Sequence, residues 1–139
     1  MIRVWGGVIA VLGLAALAGG MLFFGAVMAP LVFLHLPFDV AGPFIRTAFP
    51  WYYEYCIGSA VVVALGFLLR REWLSVLVPV AIIGVTGWLW QDQLPALDAM
   101  RSANDTAGFA KGHQLSVWLN GGELLAATML LVRVGAWLK

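Results

Sequence analysis

Charged residues are scarce in this chain of 139 residues, at 11% of the total against 63% for hydrophobic residues. Soluble domains carry roughly 25% charged residues, so a water-soluble fold of this size would lack the polar side chains that its surface requires. The formal net charge of +1 and the absence of a basic run argue against a nucleic-acid partner. The composition therefore predicts an integral membrane protein whose main partner is the lipid bilayer.

The chain also lacks the motifs of common enzymes. Its single cysteine, Cys56, excludes an internal disulfide and a Cys-x-x-Cys motif. There is no His-x-x-Glu motif, no histidine pair four residues apart and no nucleotide-binding loop. No Ser-His-Asp set stands in a recognisable context. These absences favour a protein that is not an enzyme.

Long apolar runs dominate what is present. A transmembrane helix requires about 20 predominantly apolar residues, and the sequence predicts an all-α antiparallel four-helix bundle in one domain, 1–139. The predicted spans are about 4–29, 51–69, 73–90 and 113–132. The first run contains an Ala-Leu-Ala that resembles a signal-peptide cleavage site, but it continues well beyond a signal-peptide core. We interpret it as a retained span.

Prolines mark two apolar segments that are not simple spans. Residues 30–50 contain four prolines and predict a bend followed by a short interfacial helix between the first and second spans. The segment "QDQLPALDAMR" has the spacing of a second short amphipathic helix, which would lie at the membrane surface after the third span.

Basic residues predict the orientation in the membrane. Arg3, Arg70, Arg71, Arg133 and Lys139 lie on the side of the termini, and Arg46, Arg101 and Lys111 lie on the opposite side. By the positive-inside rule, both termini are expected in the cytoplasm, in a bacterial inner membrane. Tryptophan prefers the membrane interface, and the predicted interface anchors are Trp5, Trp51, Trp73, Trp90 and Trp137.

Polar residues recur on one side of the fourth span. At about 100° per residue, His113, Ser116, Asn120 and Glu123 fall within an arc of about 80°, and we call them the polar stripe. An ionised carboxylate near mid-membrane costs at least ~2.5–3.5 kcal/mol. We therefore expect the stripe to face the other helices, with its glutamate protonated, paired or reached by water. Glu54, at a similar depth in the second span, is the predicted partner of the stripe's histidine.

These five residues are the main candidates for binding a small ligand or a metal ion. A simpler interpretation is also open, in which Ser116 and Asn120 only form hydrogen bonds between helices and His113 is an ordinary interfacial histidine. Met21, Met28 and His35 are weaker candidates.

Met21, Met28 and His35 recur every seven residues and carry the thioether and imidazole ligands that suit copper(I). Ordinary packing is the alternative for them, because Pro30 is expected to break the helical register. Lys111 is a further weak candidate, as a second axial ligand of a haem held by His113.

Four stretches resemble the transmembrane-protein-205-like family, a group built on a domain of unknown function. They are "GAVMAPLVF", "AGPFIRTAFPWYYEYCIGSA", "QDQLPALDAM" and "FAKGHQLSVWLN". The last includes a specific His-x-x-Ser-x-x-x-Asn spacing, although Gln114 stands where the family pattern has glycine. The resemblance implies a four-span membrane protein whose activity is not settled. A more distant similarity to copper-resistance-D-like four-span proteins implies copper or haem as a cofactor.

Three functions follow from these observations. The first is small-ligand or metal binding or transport in an intramembrane polar pocket. The second is a structural or accessory role in a homo-oligomer or a larger membrane complex, suggested by Gly6, Gly13 and Gly20, whose spacing lets helices approach closely. The third is a haem-binding membrane oxidoreductase, which the distant similarity implies.

Overall fold

The computed structural model describes residues 1–136, and these residues are almost entirely helical. The α-helices are α1 (Ile2–Phe23), α2 (Ala29–His35), α3 (Phe38–Arg70), α4 (Trp73–Trp88), α5 (Leu94–Ser102) and α6 (Thr106–Gly135). A π-helical turn at Phe24–Met28 joins α1 to α2, and another at Leu89–Gln93 joins α4 to α5. Within the described chain, four continuous helices are long and apolar enough to cross a membrane. The predicted all-α, four-span architecture is therefore confirmed, and the protein is a polytopic membrane protein.

Each π-helical turn ends two residues before a proline. Pro30 and Pro95 are the second residues of α2 and α5, and proline has no N–H with which to continue the α-helical hydrogen-bond ladder. In the preceding turns the N–H of Ala29 donates to Phe24 and the N–H of Leu94 donates to Leu89, five residues back. The helices consequently continue through both prolines.

The segment between the first and second spans differs from the prediction. No separate interfacial helix forms there: residues 30–35 prolong the first span, and residues 38–50 are the first turns of α3. The chain bends only at Leu36 and Pro37. Pro43 and Pro50 lie inside α3, which shows that each proline costs a hydrogen bond without ending the helix, as membrane helices tolerate. Similarly, the helix predicted after the third span is α5, which continues directly from α4.

Short connections fold the spans against one another as antiparallel neighbours. Leu36–Pro37 and Ala103–Asp105 lie at one end of the bundle, which we call the two-loop end. The connection at Arg71 and Glu72 lies at the opposite end with the N-terminus, which we call the terminal end. Arg71 adopts a left-handed conformation with φ 65°, and the N–H of Glu72 donates to the Phe67 carbonyl at 2.9 Å. This pairing closes α3 and starts the return helix.

Two ion pairs bracket the apolar zone of the bundle. Arg46 and Asp98 pair near the two-loop end, with the Nε of Arg46 2.6 Å from Oδ1 of Asp98. Arg133 and Glu72 pair at the terminal end, 3.4 Å apart. Arg46 and Arg70 lie ~36 Å apart along α3 at 1.5 Å per residue, close to the ~30 Å hydrocarbon core of a bilayer. The apolar zone between the two ion pairs is therefore long enough to span the hydrocarbon core.

Most of the tryptophans predicted as interface anchors are exposed. Trp5, Trp51 and Trp73 have 61%, 75% and 66% of their surface accessible, and Trp90 is half-buried. Trp137 lies outside the described residues.

Glycines bring α1 and α3 into close contact. A Cβ added to Gly66 would lie 2.5 Å from the backbone nitrogen of Ala10 and 2.8 Å from the carbonyl oxygen of Gly6. Gly13 packs against Val63, and Gly20 lies beneath the ring of Tyr55. The glycine spacing of the first span therefore serves packing inside the chain.

We expect Gly66→Ala to destabilise the bundle by about 1–3 kcal/mol, because its methyl group would overlap backbone atoms that cannot move aside. Thermal unfolding of the purified protein in mild detergent measures the effect. Gly58→Ala is the matched control on the same helix, since a Cβ there meets no atom within 4 Å. Equal melting temperatures for the two variants would contradict the close packing of α1 on α3.

Candidate functional site

A cavity of about 890 Å³ opens at the two-loop end between α2, α3, α5 and α6. Its walls are mainly apolar and aromatic, and include Phe24, Phe33, Phe38, Phe49, Leu94, Leu97, Phe109, Val117 and Leu124. Its polar lining residues are Asp39, Arg46, Tyr52, Tyr53, Asp98, Arg101, His113, Ser116 and Asn120. The volume is within the range of ~300–1,000 Å³ that small-molecule sites usually occupy.

The path of the first span creates this cavity. α1 packs against both α3 and α6, whereas α2, after the π-helical turn, makes its main contacts with α3. Residues of α2 and α6 then line opposite sides of the space between them. Phe24, in the π-helical turn, stacks on Tyr52 with ring centroids 4.2 Å apart. The turn thus supplies an aromatic wall at the level where the first span separates from α6.

Charges of both signs surround the mouth of the cavity. Arg46 and Asp98 neutralise each other through two contacts. The guanidinium of Arg101 lies 4.8 Å from the centre of the Phe109 ring, and this ring stacks on His113 at 5.9 Å. Asp39 is exposed in the first turn of α3. The mouth therefore holds one ion pair, Arg46–Asp98, together with one further basic residue, Arg101, and one further acidic residue, Asp39.

One hydrogen bond between α3 and α6, together with bonds within α6, forms the floor of the cavity. The hydroxyl of Tyr52 donates to Oδ1 of Asn120 at 3.1 Å, and Nδ2 of Asn120 donates to the carbonyl of Ser116 at 2.9 Å. The Ser116 hydroxyl donates to the carbonyl of Gly112, which also accepts from Gln93. Asn120 thus makes the hydrogen bond between helices that the simpler interpretation requires, whereas the Ser116 hydroxyl bonds only within α6. Both side chains also line the cavity.

Glu123 lies one helical turn below Asn120, with 6% of its surface accessible. Its Oε1 accepts a hydrogen bond from Oγ1 of Thr86 at 2.9 Å. Its Oε2 is buried and has no hydrogen-bond partner among the described residues. Glu123 does not line the cavity, so the structure places it behind the floor. Trp118 and Met129, on the opposite side of α6, are largely exposed.

The predicted pair between Glu54 and His113 does not form. His113 lines the cavity, whereas Glu54 is exposed on the outer side of α3 and makes no ion pair within the part of the chain that the structure describes. Tyr52 and Tyr53 occupy the inward side, and each further residue turns by about 100°. Glu54 therefore shares its outward direction with Gly58.

The weaker metal candidates do not converge on the cavity. Met21 lines it, but Met28, His35 and Lys111 do not. The seven-residue spacing assumed a regular helix, and the π-helical turn at Phe24–Met28 adds about one residue to the register. Among residues 1–136, no group of three His, Cys, Asp or Glu side chains is arranged to hold a metal ion.

Sequence reasoning missed two groups that shape the site. The Arg46–Asp98 pair joins two segments that are separate in the sequence, and Tyr52 and Tyr53 provide the floor and part of the wall. The sequence signal for this ion pair was that Arg46 and Asp98 lie in the two proline-containing segments, which are predicted on the same side of the membrane.

Comparison with known proteins gives one family. Residues 12–94 match the model of a family described as a domain of unknown function, DUF4149. The chain belongs to the DUF4149 family. No curated protein and no solved structure matches the chain.

The DUF4149 match supports the predicted membership of a domain-of-unknown-function group and brings no activity with it. It gives no support to the finer resemblance to the transmembrane-protein-205-like family or to copper-resistance-D-like proteins. The matched residues include most of the first span, α3 and α4, and the match ends before α6. The polar stripe therefore lies outside the DUF4149 match.

The environment of Glu123 predicts different outcomes for two substitutions. Glu123→Gln retains an acceptor for Thr86 and should insert and melt like the wild type. Glu123→Lys places a cation near mid-membrane, at a cost of at least ~2.5–3.5 kcal/mol, and should lower both the membrane-inserted yield and the melting temperature. Glu54→Lys is the control and should be tolerated better, since an exposed lysine can extend toward the interface. Equal behaviour of both Glu123 variants would show that this side chain reaches water.

Proposed function

We propose that this DUF4149 protein binds a small amphiphilic molecule from the bilayer in the cavity between α2, α3, α5 and α6. The observation that carries the proposal is the division of the cavity into an apolar, aromatic chamber and a mouth with charged side chains. An amphiphile has the same division, so its apolar chain would occupy the chamber and its headgroup the mouth.

The depth of the cavity supports this arrangement. Its mouth lies at the Arg46–Asp98 pair, which marks one edge of the apolar zone. Its floor at Tyr52 lies six residues further along α3, ~9 Å deeper at 1.5 Å per residue. Phe33 and Val117, on opposite sides of the cavity, are 47% and 56% exposed. A molecule dissolved in one leaflet could therefore enter sideways between α2 and α6.

The charges at the mouth favour a neutral or zwitterionic headgroup. Arg46 and Asp98 satisfy each other, which leaves Arg101 and Asp39 as one cation and one anion facing the opening. A singly charged headgroup would meet a like charge as well as an opposite one. A zwitterion can place each of its charges near the complementary side chain.

The predicted orientation assigns the cavity to a leaflet. We propose that both termini are cytoplasmic, on the basis of the basic residues at the terminal end. In a bacterial inner membrane the two-loop end would then face the periplasm. Below the floor, Leu17, Val63 and Phe67 fill the bundle, so movement of a ligand to the other leaflet would require the helices to separate. Binding is thus the primary proposal, and transport would need a second conformation.

We expect palmitoyl-lysophosphatidylcholine, a single-chain zwitterion, to bind one protein molecule in a nanodisc or mild detergent, as measured by native mass spectrometry. Gly121→Leu should weaken this binding at least about tenfold, equivalent to ~1.4 kcal/mol, because Gly121 lines the cavity and its Cβ position is open. Gly122→Leu is the matched control, since Gly122 is equally open but does not line the cavity. Equal lipid occupancy in the two variants would contradict binding in the cavity.

A second candidate function is assembly with another copy or with a larger membrane complex. Glu54 favours it, because this carboxyl is exposed on the outer surface of α3, ~12 Å along the helix from Arg46 toward mid-membrane. Glutamate inside the hydrocarbon core usually faces protein or water. The neighbouring Gly58 leaves open space, and a partner helix with a hydrogen-bond donor could pack there.

The assembly candidate predicts that Glu54→Leu shifts the protein to a smaller particle, because the polar contact is removed. Size-exclusion chromatography with light scattering in mild detergent measures the protein mass. Glu123→Gln serves as the control and should retain the wild-type mass, since Glu123 is buried inside the chain. A wild-type protein that is monomeric at all concentrations and has no co-purifying partner would argue against assembly.

A further inference from the structure

Glu123 is a buried carboxyl that the amphiphile site itself does not use. It lies behind the cavity floor, with 6% of its surface accessible and its Oε2 without a partner among the described residues. A carboxyl group at this depth rarely serves only as a link between helices, because its burial is costly. The protonation state of this carboxyl depends on the charges around it.

Within residues 1–136, no basic side chain forms an ion pair or a hydrogen bond with this carboxyl. Tyr52, Tyr53 and Cys56 are buried ionisable residues of α3, and none of their side chains can carry a positive charge. α4 carries no charged residue and contributes the hydroxyl of Thr86. The only charged residue of α1 is Arg3, at the far end of that helix.

On α6 itself the nearest basic side chains, His113 and Arg133, are ten positions away in either direction, ~15 Å. An ionised carboxylate here would therefore be buried without a counter-charge, which protein interiors avoid. Oε1 already accepts from Thr86. A proton on Glu123 would remove this unpaired charge, and Oε2 is the oxygen left to hold it.

The polar side chain nearest to Glu123 along α6 lines the cavity. Asn120 is one turn away on the same helix, and both Asn120 and the hydrogen-bonded Tyr52 line the cavity. On the other side of Glu123, toward the terminal end, α6 presents the buried Ala127 and Leu130. Loss of the proton would leave a carboxylate on Glu123 and pass the proton to a water molecule in the cavity.

We infer that Glu123 is a proton-binding site loaded from the cavity, and that protonation of Glu123 and occupation of the cavity stabilise each other. The physical reason is hydration: water in the cavity stabilises the ionised carboxylate behind the floor, and an apolar chain that displaces this water removes that stabilisation. Because linkage is reciprocal, the protonated protein binds the amphiphile more tightly. The coupling rests on the proposed function, whereas the proton site does not.

Infrared difference spectroscopy of the protein in nanodiscs tests the proton site without any ligand. The wild type should show the carbonyl stretch of a protonated carboxyl group in a buried environment, and the band should shift in D₂O. Glu123→Gln should lack this band, and Glu54→Gln, which removes an exposed carboxyl from the same membrane zone, should retain it. Identical carboxyl bands in the wild type and Glu123→Gln would overturn the inference.

Binding of palmitoyl-lysophosphatidylcholine as a function of pH tests the coupling, since this headgroup does not titrate near neutrality. Wild-type affinity should fall as the pH rises, by up to about tenfold per pH unit, the limit for one linked proton. Glu123→Gln should bind the lipid at every pH with the affinity that the wild type has at low pH. Glu54→Gln should show the same pH dependence as the wild type.

A pH profile that is unchanged in Glu123→Gln would overturn the coupling while leaving the amphiphile site intact. If no variant binds the lipid at any pH, the proposed function and the coupling fail together. In that case the infrared comparison still decides whether Glu123 holds the proton.

Discussion

Backbone hydrogen bonding inside lipid is the constraint on which the rest of this structure depends. A bilayer offers no water to an unpaired N–H or carbonyl group. Each helix must therefore accommodate its prolines while leaving few backbone groups without a hydrogen bond. The turns before Pro30 and Pro95 meet this constraint by forming hydrogen bonds five residues back. Phe24 and Gly25 of the first turn line the cavity, and so does Leu94, which directly follows the second turn. The cavity is therefore a consequence of how two spans accommodate proline.

Polar side chains obey the same constraint by pairing across helices. Arg46 pairs with Asp98, and Tyr52 with Asn120, so most of the polar groups around the cavity are satisfied within the bundle. Glu123 differs, because one of its oxygens has no partner among the described residues. A group that stays polar and incompletely satisfied at mid-membrane is the part of the structure best placed to respond to protons or to the contents of the cavity.

The inward direction of Ser116, Asn120 and Glu123 was predictable because it depends only on local geometry, whereas His113 of the same stripe is exposed. Helical periodicity places Ser116, Asn120 and Glu123 on one side of α6, and the cost of exposing them to lipid selects the side that faces the bundle. The pairing of Glu54 with His113 failed for a different reason. Depth along a helix can be estimated by counting residues, but the direction of a side chain on another helix depends on how the two helices are rotated.

Composition and periodicity by themselves determined that this chain forms apolar helices long enough to cross a membrane, because both properties depend on neighbouring residues alone. Tertiary structure decided which helices touch, where the register shifts, and that Arg46 meets Asp98 across 52 positions of sequence. The physical reason is that a proline signals only the loss of a donor. Whether the helix then ends, bends or widens locally into a π-helical turn depends on the packing of the helices around it.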